Sequence, residues 1–305
     1  MHVRDAWATV KETASDWSDD NASRLAAALA YYSLLSLAPL LVIVIAVAGL
    51  FYGPDAARGK IAGELGAVVG GEAAQGIQSV AASARSQTGG IISTVVGMVT
   101  LFVGASGVFG ELQSSLNTIW EVKPKPGRGV LGELRDRFLS FTMVLGVAFL
   151  LLVSLVLSAL LSAVGSAVAG ALPGGEGIWQ IVTFLFTFSL VTTLFALIFK
   201  YVPDAQIQWR DVWLGAAVTA LLFTIGKFLL GLYLGKAAPG SSYGAAGSII
   251  ALVVWVYYAA QILFLGAEFT QVQARRNGAG IRPSEGAVPA DSDSERAVHG
   301  TPTPS

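Results

Sequence analysis

The sequence predicts an all-α polytopic membrane protein, six transmembrane helices with amphipathic interfacial helices beside them. Three observations carry that prediction. The 305 residues are 54% hydrophobic and only 13% charged, about half the charged fraction of a soluble domain. Mean hydropathy is +0.65. Apolar runs of roughly 20 residues, the length that crosses a bilayer, recur along the chain.

Val3, Trp7, Val10, Ala14 and Trp17 fall at three- and four-residue spacing and predict an amphipathic helix over 3–18. Such a helix suits the membrane interface, or else packs on the loops of the bundle. The segment before residue 24 lacks the apolar core and cleavage site of a signal peptide, so the first span is expected to stay as an anchor. Asp20 or Asn21 can cap that span. It begins near Arg24 and carries Pro39 in its interior, where a lost donor and a ring clash predict a kink, static or hinge-like.

Residues 55–87 mix Arg58, Lys60, Glu64, Glu72 and Arg85 with Ile61, Leu65, Val68, Ile77 and Val80. They read as two short amphipathic helices broken at Gly70-Gly71 on the external surface. The second span covers about 90–109 and continues into a polar helical extension with Glu111, Gln113, Asn117 and Trp120, stopped by Pro124 and Pro126. Spans three and four fall at about 138–163 and 178–199. The fifth, 212–235, is interrupted by Lys227, and the sixth, 246–270, holds Trp255, Tyr257, Tyr258, Gln261 and Glu268. The resulting organisation is a transmembrane domain over 1–276 followed by a tail, 277–305. The tail is rich in Gly, Pro, Ser, Asp and Glu and is expected to be disordered.

Between six spans, fourteen Lys and Arg fall on one side and four on the other. The positive-inside bias then puts both termini in the cytoplasm.

Lys227 is the most informative residue. A lysine inside a span costs about 3 kcal/mol or more unless it finds water, a partner or the interface. Counted by fours it shares a stripe with Gly215, Thr219, Phe223, Gly231 and Gly235, and small residues let helices approach closely. The stripe therefore predicts that Lys227 points into the bundle. It lies roughly 12 Å below the outer end of its helix, whereas Glu111 and Glu268 lie roughly 33 Å along theirs, so a direct ion pair misses by about 20 Å. At its depth Trp255, Tyr257 and Tyr258 could offer ring faces and hydroxyls. Two readings stand: Lys227 binds an anionic head group together with those aromatics, or it is a structural lysine held by carbonyls and rings. Glu111 and Glu268 are expected to be structural, partnered by Arg135, Arg137, Arg275 or loop lysines, or else to form a cytoplasmic gate. Gln261 is expected to hydrogen-bond between helices.

Several stretches carry a family resemblance: AAALAYYSLLSLAPLL at Ala26–Leu41, SLNTIWEV at Ser115–Val122, YVPDAQIQWRDVWLGA at Tyr201–Ala216, GKFLLGLYL at Gly226–Leu234 and YGAAGSIIALVVWVYYAAQILFLGAEF at Tyr243–Phe269. Together they resemble the YihY/BrkB family of bacterial inner-membrane proteins, once labelled ribonuclease BN. The resemblance implies six membrane helices and transfers no catalytic residue; serum resistance, envelope-lipid handling and amphiphile export are attached to the family.

The residues themselves speak against enzymes. There is no cysteine, and the two histidines, His2 and His299, lie in the terminal segments. A metal nuclease needs clustered ligands, and a serine hydrolase needs a base beside its nucleophile. A net charge of −1 offers no general attraction to nucleic acid. No metal or other cofactor is expected. The expected partners are membrane lipids, or envelope proteins for a scaffold that recruits them in place of transport.

Overall fold

A computed structural model describes residues 3–36, 107–125, 175–237, 245–278 and 282–290. In chain order these form α1 (Val3–Asp19), α2 (22–36), α3 (107–119), β1 (Val122–Pro124), α4 (Gly175–Tyr201), β2 (Ala205–Gln206), α5 (Trp209–Ala237), α6 (Ala245–Arg276), β3 (Arg282–Pro283) and β4 (Ala287–Pro289). Pro39, the 55–87 segment and the expected third span lie outside the described residues, as do Arg135 and Arg137.

Helices α4, α5 and α6 are each long and apolar enough to cross a membrane. Their outward faces stay apolar: Ile181, Phe184 and Leu185 on α4 and Leu221, Phe228 and Leu229 on α5 are exposed. A helix that is apolar on both its packed and its outward side belongs in lipid. Helices α4 and α6 are closed by recognisable signals. Pro203 follows the end of α4 and cannot continue its bonding pattern. Gly278, at φ +71°, ends α6 with its N–H on the Arg275 carbonyl at 3.0 Å, a left-handed cap.

The turn between α1 and α2 uses the same device without glycine. Asn21 sits at φ +53°. Its carbonyl accepts the first bonds of α2, from Arg24 at 2.8 Å and Leu25 at 3.3 Å, while its amide turns back to the Asp19 carbonyl. Neither Asp20 nor Asn21 caps α2 through its side chain among these bonds; Asn21 serves as the left-handed residue that closes α1.

Helix α1 packs along α6, and the face it uses is not the apolar one. Thr9 and Thr13 are buried, while Trp7 and Val10 are exposed; Trp17 of the apolar stripe packs on the core. Ion pairs fix the docking. Arg276 reaches Glu12 through Nε at 2.9 Å and Nη2 at 2.6 Å, and Arg275 pairs with Asp16 and, at 3.5 Å, with Glu12. Single exposed pairs contribute little, but a network of them fixes geometry.

The core lies where α2, α3, α4, α5 and α6 converge, around Leu116, Trp120, Phe199, Val212 and Phe264. The segment after α6 closes this end of the bundle. β4 pairs antiparallel with β1, setting Val122 opposite Pro289, and β3 pairs antiparallel with β2, setting Ala205 opposite Pro283. Residues 282–290 are thus not the disordered tail that their composition predicts. Two short loop edges with unpaired N–H and C=O groups need partners, and an extended Pro-containing segment supplies them. The pairing also brings the α3 and α4 exits, the α1–α2 turn and the chain after α6 to one end of the bundle.

Candidate functional site

Helices α5 and α6 meet along a seam of small residues. A methyl group at Gly215 would overlap the Thr270 hydroxyl, one at Gly266 would overlap the Thr219 hydroxyl, and one at Gly226 would overlap the Tyr258 ring and hydroxyl. Both threonines bond their own helix: Thr219 donates to the Gly215 carbonyl at 2.7 Å and Thr270 to the Gly266 carbonyl at 2.6 Å. Those bonds satisfy the hydroxyls and leave the side chains free to fill the opposite notch.

The seam decides where Lys227 goes. It runs through Gly215, Thr219, Phe223 and Gly226, and Lys227 is exposed beside Ile225, Phe228 and Leu229. The inward placement expected from counting by fours does not hold. An α-helix advances 100° per residue, so each step of four drifts about 40° from a straight line. A buried seam must take a step of three to stay straight, and that step selects Gly226 in place of Lys227. The aromatics expected around it face elsewhere. Trp255 makes an edge contact with Phe223 at 6.2 Å, Phe223 meets Phe195 at 5.8 Å, Tyr258 covers Gly226, and Tyr257 packs on the core. They share the level of Lys227 but not its side of the helix.

The densest polar chemistry lies at the end closed by the strands. Asn117 and Asp204 bond in both directions: Asn117 Nδ2 donates to the Asp204 carboxylate at 2.9 Å and its Oδ1 accepts the Asp204 N–H at 2.7 Å. Gln113 adds a bond to the same carboxylate at 3.3 Å, and the Asp204 carbonyl accepts Ser284 N–H at 2.9 Å. Asp211, buried in the first turn of α5, accepts from Asn277 at 2.7 Å and also faces the positive end of its helix. Glu121, at φ +52°, accepts Gln271 Nε2 at 3.2 Å through its carboxylate, and Ala290 N–H at 2.8 Å through its carbonyl. Left-handed backbone at a glutamate costs about 1–2 kcal/mol, which these bonds offset.

Glu268 is the exception within this network. It is fully buried, and neither carboxyl oxygen has a hydrogen bond of ordinary geometry. Of the partners expected for it, Arg135 and Arg137 lie outside the described residues, and Arg275 lies near enough to act on it by charge but forms its ion pairs with Asp16, Glu12 and Glu121. What approaches Glu268 is another carboxyl, Asp20, from the α1–α2 turn. Burial pushes the Asp20 carboxyl above its ordinary value; contact with Glu268 opposes the shift, and Glu121, Asp16 and Asp19 add to it. Glu111, on the polar extension, is likewise raised by burial. Gln261 is half-buried, and its amide oxygen lacks the interhelical bond expected of it. No cluster of three or more metal-ligating side chains occurs among the described residues.

Glu268 was visible in the sequence as an embedded acid. Asp20 was not, because nothing local marks a turn residue as the neighbour of a helix so distant in the chain. The Asn117–Asp204 pair was hidden for the same reason.

No solved structure matches the chain. Among curated proteins, a UPF0761 membrane protein of Rhodospirillum centenum is 29% identical over 272 residues, covering 87% of this chain and 57% of the relative. UPF0761 membrane proteins of Verminephrobacter eiseniae and Pseudomonas aeruginosa are each 28% identical, covering 87% of this chain and 62% of their own length. The chain therefore spans about three fifths of the length of these relatives. The model of the family described as virulence factor BrkB matches residues 13–290, a range that takes in α2 through β4, including the strands after α6. A bundle of apolar helices closed by that segment, with this match over most of the chain, is an integral membrane protein that belongs to the virulence factor BrkB family.

Proposed function

We propose that this protein moves an anionic amphiphile, of the lipid class, across or within the bacterial inner membrane, with both termini cytoplasmic and Lys227 as the head-group contact. The observation that supports it is the setting of Lys227: an exposed lysine on a membrane span, flanked by Ile225, Phe228 and Leu229. No hydrogen bond, ion pair or ring contact engages it among the described residues. Among the described residues no counter-charge meets it. In a bilayer the available anions are lipid head groups, which a lysine reaches by extending its stem along apolar surface. The surplus of Lys and Arg in the segments gathered at the strand-closed end supports the orientation.

The test is amphiphile movement in reconstituted liposomes. Lys227→Met should weaken head-group binding by about 1–3 kcal/mol, the range for a lost charged hydrogen bond, at unchanged melting temperature. Unchanged movement in a stable variant would remove Lys227 from the mechanism. A second reading, a scaffold for envelope-assembly partners, is favoured by Trp7 and Val10, which α1 leaves exposed while docking by its polar face. It predicts that wild-type liposomes move lipid no faster than protein-free ones.

A further inference from the structure

We infer that Asp20, Glu268 and the amide oxygen of Gln271 form a proton-binding site in which the two carboxyls share one proton. The site is built from three places: the α1–α2 turn, and two positions one helical turn apart on α6.

The argument is a count of donors and acceptors. Glu268 is fully buried with both oxygens unpartnered. Gln271, 1% exposed, gives Nε2 to Glu121, which leaves its Oε1 buried without a donor. Residues three apart share a helix face, so the two unpartnered groups stand on the same side of α6. Asp20 adds a third acceptor group against Glu268. A buried acceptor without a donor costs about 1–3 kcal/mol, and more when charged.

Among the described residues no neighbouring group supplies the missing donor. From α1 the charged neighbours are Asp16 and Asp19, and from the end of α3, Glu121, all acidic. On α6 the charge of Arg275 reaches Glu268, but its guanidinium bonds to Glu12, Asp16 and Glu121, and Arg276 pairs with Glu12. A hard divalent ion needs six or more oxygen ligands, more than these three side chains provide. A proton needs only two. Bound to one carboxyl, it turns an acceptor into a donor, and an O–H···O bond replaces the repulsion of two close carboxylates, which cannot both ionise at low cost. The upward shift of Asp20 by burial agrees with this arrangement. On deprotonation both carboxyls are negative, and the turn at Asn21 is driven from α6. As a coupling site for amphiphile movement it rests on the reading above; as a proton site it stands without it.

The test is infrared titration of the full chain in lipid nanodiscs, following the stretch of a protonated carboxyl. We expect such a band at neutral pH, shifted in heavy water, lost in Glu268→Gln and moved in frequency in Asp20→Asn, whose proton loses its carboxylate acceptor. Absence of the band in the wild type overturns the site. So does a band left unmoved in Asp20→Asn, or one abolished by replacing choline chloride with sodium chloride, which would assign a sodium ion. With the band intact, lipid movement indifferent to a pH gradient would count against the transport reading and leave the site standing.

Discussion

Thr270 of α6 fills the notch that Gly215 leaves in α5, and its hydroxyl is held to the Gly266 carbonyl at 2.6 Å. Thr219 fills the notch at Gly266 in return, so the two helices lock antiparallel through one reciprocal pair. Association without a hydrophobic driving force depends on such close approach.

Substitution at the notch should therefore be costly. Gly215→Val is expected to destabilise by about 1–3 kcal/mol, the cost of overpacking. Gly110→Ala, in α3 with nothing near its added methyl, should be neutral or stabilise by up to about 1 kcal/mol. Thermal unfolding in detergent checks both, and equal effects would refute the close packing of the seam.

The same seam shows how far the sequence could be read. Gly215 and Thr219 stand out as small residues in a bulky helix, and they do face the partner. Lys227 looks aligned with them only if the helix repeats every four residues; at 3.6 the line has turned away before reaching it. The spans α4, α5 and α6 were legible because apolar length alone marks them. Glu268 was legible as an embedded acid, but its environment depends on a turn far away in the chain. The strands after α6 were misread because Gly, Pro and Ser suggest disorder, and composition carries no information about loop edges waiting to be paired.

Removing those strands gives a second prediction. Truncation after Gly278 deletes the partners of β1 and β2 and the bonds from Ser284 N–H to Asp204, from Lys125 N–H to Gly286 and from Ala290 N–H to Glu121. At about 1 kcal/mol per lost bond, amide exchange at Val122, Lys123, Ala205 and Gln206 should accelerate about tenfold or more. Truncation after Ala290 keeps every one of these bonds and should leave exchange unchanged. Hydrogen-exchange mass spectrometry distinguishes the two.

A third prediction concerns pH. The Asp20 carboxyl is raised from 3.8 on folding, chiefly by burial. The native state then binds more protons than the unfolded one across the window above 3.8, so stability falls as pH rises through it. Below 3.8 the group is protonated in both states and contributes no slope. Asp20→Asn cannot ionise, so its melting temperature relative to wild type should rise with pH through that window and level off beyond it. A difference that is flat or falls across the window would contradict the shift.

The strand pairings also set an order for making the protein. Val122 must meet Pro289, and Ala205 must meet Pro283, so segments synthesised early wait for one synthesised after α6. Helices α4, α5 and α6 can enter the bilayer one after another during translation, but β1 and β2 have no partner until residues 282–290 leave the ribosome. The long loop closures involved make that step slow relative to helix formation. The bundle is thus fastened only after α6 has been made, and a chain stalled before residue 282 exposes two unpaired loop edges to whatever surveys nascent membrane proteins.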